Sequence, residues 1–128
     1  MNLAVRKLSG APPIVLVLED EPLIAMDLQF AFEDHGVDVH VAASCGEACG
    51  LLETLDFDGA VLDVNLGRGE TCERVAAVLR SRGVPFVLHT GDLNRQGEAI
   101  ARLDAVVVPK PTPATQVAQL VLTEMERP

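Results

Sequence analysis

Four places in this chain set a reactive side chain at the end of an aliphatic run. Glu19 and Asp20 follow Ile14–Leu18 in "IVLVLED", Asp63 ends "GAVLD", Thr90 ends "PFVLHT", and Lys110 follows "AVVVP". Carboxylates brought close together cannot all stay ionised and unpaired, because each raises the pKa of its neighbours. A hard divalent cation resolves such crowding, and carboxylate oxygens with retained waters are the ligands that Mg²⁺ takes. A lysine ammonium and a threonine hydroxyl both suit the oxygens of a phosphoryl group. An aspartate at the centre of that set can attack phosphorus and form an aspartyl phosphate. Each residue also has a plainer reading. Asp20 and Glu21 can be first-turn acids favoured by a helix dipole, and Glu21 is read that way. Thr90 beside Gly91 can be a turn former, Lys110 between two prolines a surface lysine, and Asp63 a turn residue after a strand. His89 is read as a strand-end side chain, not a phosphate carrier.

Whether these residues meet depends on the elements that carry them. Ile14–Leu18 is uninterrupted aliphatic, the pattern of a strand covered on both faces. Pro22 suits the first turn of the next helix, with Leu23, Ile24, Met26, Leu28, Phe30 and Ala31 as its apolar stripe and Gly36 as its stop. Val37, Val39 and Val41 alternate with polar residues, which predicts an edge strand. Ser44-x-x-Glu47 reads as a capping box opening a helix with Leu51, Leu52 and Leu55. Gly59–Asp63 is a third strand, followed by the loop "NLGRG" and a helix with Val75, Val78 and Leu79 inward, closed by Gly83. Residues 85–88 and 105–108 complete the strands; 94–103 is a weak short helix, and Thr112-Pro113 starts a last helix with Val117, Leu120 and Val121. Strands alternating with helices through short loops imply parallel βα units with right-handed crossovers. Five of them fit a flavodoxin-like doubly wound α/β sheet in the order 2-1-3-4-5, with helices on both faces. That order opens a crevice at the carboxyl ends of strands one and three. Glu19, Asp20, Asp63, Thr90 and Lys110 then share one rim.

Length and composition narrow the partners. The 128 residues suit one domain, read as a flexible lead-in over 1–13 and a folded unit over 14–126. The net charge of −9, with no Lys/Arg cluster, argues against nucleic acid or an anionic membrane as the main partner. No apolar run approaches the length of a membrane span, and "MNLAVRKLSGAPP" lacks a signal-peptide core. Cys45, Cys49 and Cys72 show no metal-ligand or disulfide spacing, so they are read as small core residues in a reduced, cytoplasmic setting. No G-x-G-x-x-G or Walker A segment supports nucleotide binding.

Glu19-Asp20, Asp63, Thr90 and Lys110-Pro111, in this order and each at an expected strand end, resemble the receiver domain of two-component response regulators. The resemblance runs from Ile14 to near the C-terminus. It implies that Asp63 accepts a phosphoryl group from a histidine kinase or histidine phosphotransfer protein. It further implies that Asp20, Asp63 and the backbone carbonyl of Asn65 bind Mg²⁺, with Glu19 acting through a metal-bound water or a weaker contact. Thr90 and Lys110 would contact the phosphoryl oxygens, and Lys110-Pro111 is where the family often has a cis peptide. "RGVPF" and "LHTGD" are similar to stand-alone receivers with a Phe-Ala-Thr-Gly-x-Tyr loop, whose aromatic is replaced here by Leu93. The aromatic that many receivers carry in strand five corresponds to Val107, and Gly67 stands where a proline is frequent. Asn65 and Asp92 flank the site and are expected to shape water access.

The expectation is a phosphoacceptor, not a turnover enzyme, with no attached output domain. It would act as a phosphorelay member or by contact with an unknown downstream protein. A weak homodimer would use the last helix and fifth strand. Two alternatives stay open: a degenerate receiver that binds partners without phosphorylation, and a haloacid-dehalogenase-like phosphatase. The second normally has its nucleophile after the first strand and an Asp two residues later, where this chain has Asn65.

Overall fold

The computed structural model describes residues 3–67, 69–91 and 101–127. Five strands, β1 (Ile14–Leu18), β2 (Asp38–Ala42), β3 (Gly59–Asp63), β4 (Phe86–Thr90) and β5 (Val106–Pro109), form one sheet in the order β2-β1-β3-β4-β5. Every pairing is parallel, and Leu18 aligns with Leu62 and Asp63 with His89. The carboxyl ends of the strands therefore finish on one rim. The fourth and fifth strands end one or more residues later than the sequence pattern indicated, because Thr90 and Pro109 still pair.

Residue alternation divides the core in two. Leu16, Leu18, Ala60, Leu62, Phe86 and Leu88 face α3 (Cys45–Thr54) and α4 (Glu73–Ser81). Val15, Val17, Val61, Val87 and Val108 face α2 (Pro22–Glu33) and α5 (Ala114–Met125). Truncating a central residue such as the fully buried Leu16 to alanine would cost about 2–5 kcal/mol, through lost burial plus the cavity left behind. Gly59 is required by packing: a Cβ there would lie 2.7 Å from Met125 Sδ, so α5 seats directly on the start of β3.

Three expectations change. Within the stretch read as a flexible lead-in over 1–13, Leu3–Ser9 form a helix, α1. Its buried Arg6 pairs with Asp58 Oδ2 at 2.7 Å and donates to the Asp56 carbonyl, while Asp58 also accepts the Ile14 amide at 2.8 Å. A single charged residue in a short segment gave no warning that it had a buried partner 52 positions away. Second, the apolar stripe of α2 splits. Ala25, Leu28, Ala31 and Phe32 are buried, whereas Leu23, Met26 and Phe30 are 72%, 42% and 56% exposed. Leu120 on α5 is likewise exposed, while Val117 and Val121 are buried. Third, the capping box is only half formed. Ser44 Oγ accepts the Glu47 amide at 3.1 Å, but Glu47 Oε2 reaches the Ala43 amide instead of that of Ser44.

The weak helix expected over 94–103 falls largely outside the described residues, as do Asp92 and Leu93; residues 101–103 are helical. No helix among the described residues is long and apolar enough to cross a membrane.

Candidate functional site

The rim at the carboxyl ends of β1, β3 and β5 gathers an acidic trio and one lysine. Carboxylate oxygens of Glu19, Asp20 and Asp63 lie within 4.8 Å of one another. Glu19 and Asp63 are buried, while Asp20 is exposed. β1 and β3 are neighbours, so residues just past Leu18 and Leu62, which pair in register, must emerge side by side. Lys110 enters from the end of β5, two strands beyond β3. Its Nζ lies 2.8 Å from Glu19 Oε1 and 3.2 Å from Asp63 Oδ2. At 2.8 Å the contact with Glu19 Oε1 is a close charged pair.

Backbone groups hold the trio in place. The Glu21 amide donates to Glu19 Oε2 at 3.1 Å and the Asn65 amide to Asp63 Oδ1 at 3.3 Å. The Lys110 amide donates to the Thr90 carbonyl at 2.8 Å, which fixes the root of the lysine to the neighbouring strand end. The Lys110–Pro111 peptide is cis. Thr90 is buried at the end of β4, between the strands that carry Asp63 and Lys110.

The electrostatics show two buried acids competing for one base. Burial pushes the Asp63 carboxyl up, the Glu19 charge pushes it further, and Lys110 only partly opposes them, so it stands at about 7. Burial also acts to raise Glu19, but the bonds from Lys110 and the Glu21 amide outweigh it and hold Glu19 below its ordinary value. Of the two buried carboxyls, Asp63 is therefore the one that holds a proton more readily. Burial alone would lower Lys110, yet the two carboxylates hold it above its ordinary value, and it stays cationic. A carboxyl kept protonated by burial and a like-charged neighbour is a group that a divalent cation can deprotonate by taking over the charge balance. The donor set, all oxygen and arranged on one open rim, fits Mg²⁺.

Glu19, Asp20, Asp63 and Lys110 thus meet, with Thr90 and Asn65 immediately beside them. Two residues with local roles were not singled out for them by the sequence. Glu70 accepts the Cys45 amide at 2.7 Å, linking the loop after β3 to the start of α3. Buried His89 has no partner for either ring nitrogen among the described residues. Burial and then Lys110 hold its pKa below the ordinary value, so it is neutral at pH 7. Cys45 and Cys72 are buried, and burial raises both thiols, Cys72 to about 12. They behave as core residues, as their spacing indicated.

The sequence matches the family model of the response regulator receiver domain over residues 15–121. No curated protein sequence matches the chain. Among solved structures, a CheY-like receiver domain protein of Methanospirillum hungatei superposes with a TM-score of 0.79 at 20% identity, covering 91% of this chain and 95% of that one. A receiver domain of Methylobacillus flagellatus gives 0.76 at 21% identity, covering 91% and 100%. The receiver domain of a sensor histidine kinase of Pseudomonas aeruginosa, solved with a magnesium ion in its active site cleft, gives 0.78 at 17% identity, covering 91% and 100%. At these identities the superpositions speak for the fold.

Proposed function

Because the chain belongs to the family of response regulator receiver domains, we propose that it accepts a phosphoryl group on Asp63 from the phosphohistidine of a histidine kinase or histidine phosphotransfer protein. The observation that carries this reading is the bridge of Lys110 between Glu19 and Asp63, within a trio of carboxylates whose oxygens lie within 4.8 Å of one another.

In the transfer, an Asp63 carboxylate oxygen bonds to phosphorus as the phosphorus–nitrogen bond to the donor imidazole breaks, and the electron pair stays on that nitrogen. Glu19, Asp20, Asp63 and the backbone carbonyl of Asn65 are the groups that would hold Mg²⁺, Glu19 more weakly or through water. The ion would neutralise charge on the transferring group when bound. Lys110 supplies a fixed positive charge 3.2 Å from Asp63 Oδ2, desolvated enough to act strongly. Thr90 supplies a hydroxyl donor for a phosphoryl oxygen. The Asn65 amide on Asp63 Oδ1 and the Lys110 ammonium on Oδ2 together fix the orientation of the carboxylate.

The donor protein needs a seat next to Asp63. Leu23, Met26 and Phe30 lie three and four residues apart on α2 and so share one exposed face. That face starts just after Glu19 and Asp20 in the chain, and we assign it to the phosphodonor protein. The protein acts in the cytoplasm as a stoichiometric acceptor, with output through contact with a downstream protein. The test is incubation with Mg²⁺ and acetyl phosphate, which should add one phosphoryl group to the wild type and none to Asp63→Asn. Catalytic turnover of p-nitrophenyl phosphate would instead favour a phosphatase.

A further inference from the structure

The described residues of the loop between β3 and α4 pair with one another in the manner of a small hairpin. Asn65 bridges Thr71, the Leu66 amide donates to the Glu70 carbonyl at 3.0 Å, and the Glu70 amide donates to the Gly67 carbonyl at 2.9 Å. The hairpin leans on the cation site: a Cβ on Gly67, which has φ of +80°, would lie 3.6 Å from Asp20 Oδ2. The Gly67 amide also donates to Asn65 Oδ1 at 3.1 Å. At its far side, Glu70 Oε1 accepts the Cys45 amide at 2.7 Å. Cys45 is the first residue of α3, and its amide is not served by the Ser44 cap, which accepts the Glu47 amide. A carboxylate at a helix N-terminus is favoured both by that free amide and by the helix dipole.

We propose that Glu70 is a positioning residue for the cation site: by bonding the Cys45 amide it ties the 65–71 hairpin to the N-terminus of α3 and so fixes Asn65 and Gly67 against Asp20. The bond spans 25 residues of sequence and joins the loop to a helix that packs on the sheet. Without it the loop keeps its internal turn and the apolar packing of Leu66 but loses its described hydrogen bond to α3. The Asn65 carbonyl would then reach its bound position only part of the time, and cation affinity falls in proportion. This inference rests on the reading of the site as a Mg²⁺-dependent phosphoacceptor.

The test is Mg²⁺ binding by isothermal titration calorimetry on the wild type, Glu70→Ala, Glu70→Gln and Ser44→Ala. Glu70 acts through the loop and not on a ligand itself, so Glu70→Ala should lose less than the roughly tenfold seen when a ligand's own partner is removed, on the order of three- to fivefold. Glu70→Gln keeps an acceptor oxygen but no charge, and it should bind within about twofold of the wild type. Ser44→Ala removes the other cap of the same helix and should lower the melting temperature without changing Mg²⁺ affinity. Glu70→Asp, the milder variant if alanine fails to fold, keeps the charge with a shorter reach and should bind more weakly than Glu70→Gln. An equal loss in Glu70→Gln and Glu70→Ala would assign the effect to charge and overturn the proposal. So would an equal loss in Ser44→Ala, which would make helix stability the cause. Failure of the site reading would show separately, as a wild type that does not bind Mg²⁺, and would remove this inference with it.

Discussion

The ammonium of Lys110 stands 3.2 Å from Oδ2 of Asp63, across 47 residues of sequence and two strands of the sheet. It is the cation that offsets part of the repulsion between Asp63 and Glu19. Replacing Lys110 by methionine keeps the length of the side chain and removes the charge. Phosphorylation by acetyl phosphate should slow by about a hundredfold, the scale seen when a preorganised charge-stabilising donor is removed. Mg²⁺ binding should persist, since the acidic trio remains. A Lys110→Met protein phosphorylated at the wild-type rate would refute the role given to this contact.

The raised pKa of Asp63 links stability to pH with an unusual sign. The folded protein keeps a proton on Asp63 up to about 7, against an ordinary value of 3.8. Between those values the native state binds more protons than the unfolded chain. The contribution of this group to stability is therefore fully present below the lower value and is lost as pH climbs to the upper one. Asp63→Asn carries no such titration. In chelator, the melting temperature of Asp63→Asn minus that of the wild type should grow as pH rises from about 4 to about 7 and then level off. A difference that stays flat over that window would show that Asp63 is already ionised.

The same proton must leave when a cation binds. Mg²⁺ affinity should rise with pH until about 7 and flatten above it, and calorimetry in buffers of different ionisation heat should detect proton release on the acidic side. Affinity independent of pH in this range would contradict the placement of the proton.

Much of this site was legible before the fold was known. Continuous aliphatic runs meant strands buried on both faces, and parallel strands finish on one rim, so Glu19, Asp20, Asp63 and Lys110 had to converge. What stayed hidden was set by tertiary contacts. On α2, Leu23, Met26 and Phe30 are as apolar as Leu28 and Phe32, and periodicity cannot say which of two apolar faces meets the sheet. Arg6 and Glu70 look like ordinary surface charges, because their partners Asp58 and Cys45 are distant in sequence.

Arg6 supplies a test of the N-terminal helix. With Arg6 replaced by alanine, Asp58 stays buried without its countercharge, and breaking a buried pair in this way costs about 3–5 kcal/mol. Denaturant unfolding should show that loss, and a second substitution, Asp58→Asn, should recover part of it. A loss below about 1 kcal/mol, the range of an exposed pair, would mean that α1 contributes little.

The exposed face of α2 separates partner recognition from chemistry. Leu23→Ser with Phe30→Ser should leave stability nearly unchanged, since both residues face solvent. Phosphorylation by acetyl phosphate should be unaffected, while transfer from the phosphorylated donor protein should slow by about tenfold or more, as expected when interface anchors are lost. Equal transfer rates would place the donor elsewhere on the molecule.

The central claim is that Asp63 is the phosphoacceptor of a Mg²⁺-dependent site, and intact-protein mass spectrometry after incubation with acetyl phosphate addresses it directly. One added phosphoryl group is expected on the wild type in Mg²⁺, none in chelator, and none on Asp63→Asn. A phosphoryl group still added to Asp63→Asn, or a wild type left unmodified under conditions that phosphorylate another receiver domain, would contradict it.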